Sequence, residues 1–175
     1  MEKVNEIFLN KKFISYAQEI KKIEQDRIFC KHGIEHSLDV ARIAYIKVLE
    51  NNLDFSKEVI YSIALLHDLG RVVEYKENIP HNKAGFKIAQ EILSETNFSN
   101  KEKAQIINAI LKHRGSLKYD DIYYKDNLDK DEIENILKLS EIILLSDKES
   151  RMCFNCKAED KCYWDKEKKN FNIKI

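Results

Sequence analysis

Four glycines and one proline are spread over 175 residues, and this scarcity limits the possible folds more than any other feature. An all-β sandwich or a parallel α/β sheet turns often, at residues that tolerate unusual backbone angles or break a helix. A chain so poor in them should be dominated by helices. Its length suits a single core, with about two-thirds of the unfolded surface buried on folding.

The apolar residues bear this out. Val4, Ile7, Phe8, Phe13, Ile14, Ala17, Ile20 and Ile23 recur mostly at three- and four-residue intervals, predicting a first helix over 4–24 with a break near Asn10. From His36 the set Leu38, Val40, Ala41, Ile43, Ala44, Ile46, Val48 and Leu49 is too broad for one stripe and predicts a largely buried helix that stops at Asn51-Asn52. Ser56 opens another helix, expected to end close to Gly70 with His67 and Asp68 in its last turn. Pro80 marks a loop, after which His81 begins one helix and His113 ends the next, which starts at Ser99. Residues 115–128 lack periodicity, and a last helix over 130–147 delivers Asp147 at its end.

Lysine plus arginine and aspartate plus glutamate each total 30, so no global field draws in a polyanion, which counts against a dedicated nucleic-acid binder. The N-terminal stretch has no apolar run of signal-peptide length. No segment approaches the ~18 to 20 apolar residues of a membrane span, so a cytoplasmic location is expected.

Imidazole and carboxylate groups suit divalent transition metals, with oxygen ligands favouring manganese or magnesium and imidazole favouring iron, zinc, cobalt or nickel. His36, His67, Asp68 and Asp147 all fall at predicted helix ends. Taken singly, each is as well explained by capping and helix-dipole preference. Adjacent residues on a helix point about 100° apart, so His67 and Asp68 share one ion most easily where a helix ends.

The ordered set is more specific. His36-Ser-Leu-Asp-Val-Ala-Arg-Ile-Ala, then Leu-Leu-His67-Asp68-Leu-Gly-Arg71, then Leu-Leu-Ser-Asp147 resembles the HD-domain phosphohydrolase superfamily over roughly residues 27–151. The resemblance implies an all-α HD-domain bundle in which His36, His67, Asp68 and Asp147 bind one metal. His81 and His113 fall where some members place extra ligands, suggesting a second ion; their other reading is to bind phosphate or protonate a leaving group. Metal-activated water would attack phosphorus in line, with Asp68 orienting it or accepting its proton and Arg71 neutralising phosphate oxygens. Arg27, Lys83, Arg114 and Arg151 are further phosphate candidates, each equally readable as a solvated surface charge.

After Arg151 the composition shifts to cysteine, lysine and aromatic residues. Residues 1–151 are therefore expected to form the helical domain, with 152–175 a cysteine-containing appendage packed on it. Cys153, Cys156 and Cys162 are separated by two and five residues, and Cys30 stands alone. Cys30 precedes His36 by six residues and Cys153 follows Asp147 by six, so convergence of the two ligands would bring the cysteine segments together. Structural zinc, with His32 able to replace one thiolate, an iron-sulfur cluster, and no metal at all stay open, the last with small apolar-like thiols packed near Trp164.

The leading expectation is a phosphohydrolase acting on a small phosphorylated substrate, a nucleotide by family inference. The alternative is a metal-containing nucleotide-sensing module without turnover. A nucleic-acid-binding zinc knuckle would draw on the tail lysines and aromatics, but Glu159, Asp160, Asp165 and Glu167 cancel most of that charge.

Overall fold

A computed structural model describes residues 1–113 and 122–173. Arg114 and the first half of the non-periodic stretch read from the sequence at 115–128 lie outside the described residues. Among these residues there are eight α-helices and no strand: α1 (Glu2–Phe8), α2 (Lys11–Ile23), α3 (Ile34–Glu50), α4 (Lys57–Leu66), α5 (Arg71–Glu77), α6 (His81–Ser94), α7 (Asn100–Lys112) and α8 (Lys130–Glu149). Short 3-10 turns at Cys153–Asn155 and Glu159–Lys161 shape the tail.

The break expected near Asn10 is a helix cap. The Asn10 side-chain oxygen accepts hydrogen bonds from the backbone N–H of Lys12 and Phe13, starting α2 where α1 ends. Ser99 with Glu102 and Asp129 with Glu132 form capping boxes that start α7 and α8.

Helix α4 is the axis of the bundle. Val59, Ile60, Ser62, Ile63, Ala64, Leu65 and Leu66 are all buried, the signature of a helix surrounded on every side. It packs against α1, α3, α7 and α8, while α5 and α6 pair beside it. Because α4 is enclosed, whatever follows Leu66 begins inside the protein.

Two expectations change at this point. Helix α4 ends at Leu66, so His67 and Asp68 lie in the turn after it rather than in its last turn. Gly70 is not a left-handed helix terminus: its φ is −63°, and it precedes α5, a helix too short to leave a periodic signature and with Val72 as its buried residue. Glycine is needed at 70 because of close approach. A Cβ there would lie 2.0 Å from the His81 carbonyl oxygen and 2.4 Å from the Gly85 nitrogen, both backbone atoms that cannot rotate away.

The elements meet at one end of the bundle. The C-terminal ends of α7 and α8 and the α4–α5 turn come together there with the first turns of α3 and α6, and these segments carry His113, Asp147, His67-Asp68, His36 and His81.

Replacing Gly70 by Ala should force α6 away from the α4–α5 turn. The expected cost is about 3 kcal/mol, a fall in Tm of roughly 10 °C by calorimetry, with loss of bound metal because His81 moves with α6. Unchanged stability would show that the contact is not as tight as described.

Candidate metal centre

Four ligand atoms face one point. His36 Nε2 lies 3.1 Å from Asp147 Oδ1 and 3.7 Å from Asp68 Oδ2; His67 Nε2 lies 3.1 Å from Asp68 Oδ2 and 3.9 Å from Asp147 Oδ1. A second group shares Asp68 through its other oxygen: Oδ1 is 3.6 Å from His81 Nε2 and 3.9 Å from His113 Nε2. The structure thus gathers His36, His67, Asp68 and Asp147 into one set and Asp68, His81 and His113 into another.

Each histidine is turned the same way. Nδ1 of His67 donates to the Ala64 carbonyl at 2.7 Å and Nδ1 of His113 to the Ile110 carbonyl at 2.7 Å. Nδ1 of His81 donates to Glu74 Oε2 at 2.7 Å. The Ser150 hydroxyl donates to the Asp147 carbonyl and so accepts from His36 Nδ1 at 3.2 Å. With the proton on Nδ1, every Nε2 offers a lone pair to the shared space, the arrangement by which second partners orient metal-binding imidazoles.

The fit to a cation can be tested on polar atoms left without partners. His67 Nε2 and Asp68 Oδ2 are buried and make no hydrogen bond, a state that costs free energy unless something else satisfies them. His81 Nε2 and His113 Nε2 lie 2.8 Å apart with both Nδ1 atoms already donating, so two lone pairs face each other. A proton or a metal ion between them removes the repulsion. The residues therefore fit a divalent ion, and the second group fits a further one.

The electrostatics agree. Burial holds His36 and His81 down at about 4 and His113 at about 3, keeping all three neutral and ready to ligate at neutral pH. Burial opposes ionisation of Asp68 and Asp147 too, but their neighbours outweigh it and both lie well below the usual carboxylate range, with the His67 ring and the Arg71 cation acting on Asp68 and the His36 ring and the Arg151 cation on Asp147. Burial also works against a positive His67, yet Asp68 and Asp147 raise it, which marks the space between them as favourable to positive charge.

Arginines border the centre. Arg71 Nε donates to Asp68 Oδ1 at 2.8 Å. Arg151 Nη2 donates to Asp147 Oδ1 at 2.8 Å and sits 3.0 Å from His36 Nε2, while its Nε and Nη1 are buried without partners. Arg27 lines the same cleft of about 410 Å³; Lys83 is exposed on α6 and is not among the residues lining it.

Residues 33–152 match the family described as HD domain. The chain belongs to the HD-domain family. HD domains bind divalent metals and form a superfamily of metal-dependent hydrolases. This HD-domain chain is 40% identical over 173 residues to an uncharacterized protein of Clostridium beijerinckii, covering 99% of each chain. It is 28% identical over 89 residues to Ribonuclease Y of Clostridium novyi, a match covering 51% of this chain and 16% of that protein. A crystal structure of a predicted HD superfamily hydrolase from an uncultured Thermotogales bacterium superposes with a TM-score of 0.59 at 18% identity, covering 92% of this chain and 80% of the other. That likeness supports the HD helical bundle.

Sequence reasoning missed a triad beside the centre, formed by the buried Glu24 and His32 with Tyr75. Glu24 accepts from His32 Nδ1 at 2.6 Å, from the His32 backbone N–H at 2.7 Å and from the Tyr75 hydroxyl at 2.5 Å. The His32 ring then packs edge-on to His36, with centroids 5.9 Å apart. His32 Nδ1 is thus committed to Glu24 rather than turned to the cysteines. Nothing in the local pattern at Glu24, one charged residue at the end of a lysine-rich helix, distinguishes it from its exposed neighbours.

Burial alone would raise Glu24, but His32 and Tyr75 hold it at about 2. A carboxyl depressed in the folded state stabilises fully above its unfolded value near 4.5 and loses that contribution as pH falls toward 2. Glu24→Gln should cost on the order of 2 kcal/mol at pH 7 after solvent screening. In denaturant titrations the gap from wild type should close between about pH 4.5 and 2; a gap independent of pH would remove the charge from this account.

Proposed function

We propose that the chain is a metal-dependent phosphohydrolase that cleaves a phosphate ester or anhydride of a nucleotide, working in the cytoplasm. The observation that carries this reading is a pairing of unmet needs. His67 Nε2 and Asp68 Oδ2 lack a cation, and two nitrogens of the buried Arg151 guanidinium beside them lack an anion. A phosphate resting on a metal ion meets both needs.

In this reading His36, His67, Asp68 and Asp147 hold one ion, and Asp68, His81 and His113 a second. A bound divalent ion, whether iron, manganese, cobalt, nickel, zinc or magnesium, supplies Lewis acidity and a water of lowered pKa. Asp68 orients the attacking water. Arg71, anchored through Nε, presents its remaining nitrogens to the cleft as counter-charge for phosphate oxygens. Arg151 Nη2 lies against the His36 lone pair that a bound ion would take, and its guanidinium would then be available to a substrate phosphate. His32, fixed by Glu24 through Nδ1, is positioned to accept a hydrogen bond or a proton at Nε2.

Phe29, Tyr163 and Trp164 line the same cleft and support a nucleotide, because a base stacks on aromatic faces. The partial match to Ribonuclease Y supports a phosphate ester as the bond class. Residues 1–151 are the helical domain in this reading, and 152–175 a segment of the same domain that walls the cleft.

The test is phosphate or nucleotide release from mono-, di- and dinucleotide polyphosphate substrates, with protein stripped of metal and then reloaded. Activity should depend on metal and fall by about 10³-fold or more in His67→Ala, with Arg151→Ala raising KM. His113→Ala should remove one of two metal equivalents by elemental analysis. Tight nucleotide binding by the metal-loaded protein without turnover would favour the sensing module instead.

A further inference from the structure

The four cysteines line the same cleft and belong to neither histidine–aspartate group. All are free thiols. Cys30 comes from the connection between α2 and α3; Cys153 and Cys156 flank the first tail turn, and Cys162 follows the second. Hydrogen bonds close the tail on the bundle: Asn170 Nδ2 donates to the Glu149 carbonyl at 2.8 Å, and the Phe154 backbone N–H to the Asn170 carbonyl at 3.2 Å. Lys169 Nζ donates to the Glu159 carbonyl at 3.0 Å. Four thiols from two segments more than 120 positions apart are thereby brought to one cavity.

They are also close enough to act on one another. Cys30 sits at the rim, yet the protein on its inner side desolvates the thiol and raises it, and the other three cysteines push in the same direction while Arg151 opposes them. Uncompensated, such a cluster of thiolates would be unfavourable. Arg27, Lys148, Arg151 and Lys169 line the same cavity and supply positive charge.

The spacing distinguishes kinds of centre. Tetrahedral thiolates on one zinc ion stand about 3.8 Å apart, given a Zn–S distance of about 2.3 Å. Among the described residues, the groups of three or more ligand atoms within 4.8 Å of one another are the two histidine–aspartate sets, so the sulfurs share their cavity at wider spacing. Four thiolates lining one cavity at wider spacing suit a polynuclear group.

We infer that Cys30, Cys153, Cys156 and Cys162 ligate an iron-sulfur cluster that fastens the tail to the helical domain and lines the same cleft as the histidine–aspartate centre. Loading a preassembled cluster from a thiol carrier replaces four carrier S–Fe bonds by four from these cysteines and passes the four cysteine protons to the departing carrier thiolates, with no net electron transfer. The inference does not rest on the phosphohydrolase reading.

The test uses the intact chain purified without oxygen, assayed for iron, zinc and acid-labile sulfide and by visible absorption. Iron and sulfide bound in equal amounts, with sulfur-to-iron charge-transfer absorption, are expected. Both should persist in His67→Ala/Asp68→Ala, counted after subtraction of the metal lost there, and disappear in Cys153→Ser/Cys156→Ser. Cys30→Ser, on a separate segment, should bleach the absorption even if the double variant fails to fold. Zinc without sulfide would overturn the inference, as would no sulfide after anaerobic purification and reconstitution with ferrous iron and sulfide. Neither result would touch phosphate release at the other centre, so the two readings fail separately.

Discussion

The Asp68 carboxylate is the point on which the rest of the structure depends. One oxygen faces His36 and His67, the other faces His81 and His113 and is held by Arg71. Four helices and the turn after α4 are aligned around this single group. It lies in the one turn that begins inside the bundle, because α4 is buried on every side, and α6 reaches it only because Gly70 has no side chain.

Such a centre is costly to build. Burying imidazoles and carboxylates without partners opposes folding, and His67, Asp68, His81 and His113 are nearly inaccessible. The apolar core around α4 offsets that cost, and the second partners of the histidines lower it. Backbone carbonyls of α4 and α7 serve His67 and His113, and Glu74 and Ser150 serve His81 and His36. The ends of α4 and α7 provide these carbonyls because helix termini leave them unpaired within the helix. The same geometry that ends each helix therefore aims its histidine.

The cleft is lined by two chemically distinct groups. Neutral histidines and ionised aspartates favour a cation, and four thiols share the lining with arginines and lysines. Arg151 belongs to both, touching His36 and Asp147 with one nitrogen and turning two toward no partner. Its position just after α8 ties the tail to the histidine–aspartate set. The Glu24–His32–Tyr75 triad fixes the His32 ring, which packs edge-on to His36.

Much of this was legible in the chain. The shortage of glycine and proline, the three- and four-residue spacing and the caps at Asn10 and Ser99 specify helices and most of their ends, because these are local properties. The order of His36, His67-Asp68 and Asp147 carries the family. What the sequence alone could not supply was set by distant contacts. The role of Gly70 depends on backbone from α6, and α5 is too short for periodicity to show. Glu24 became a buried charge only once His32 and Tyr75 closed over it, from eight and fifty-one positions away. The sharing of Asp68 between two ligand groups likewise requires directions in space. Sequence spacing determined which residues end each helix; only tertiary packing decided which of those ends meet, because the angles between packed helices are set by side chains far apart in the chain.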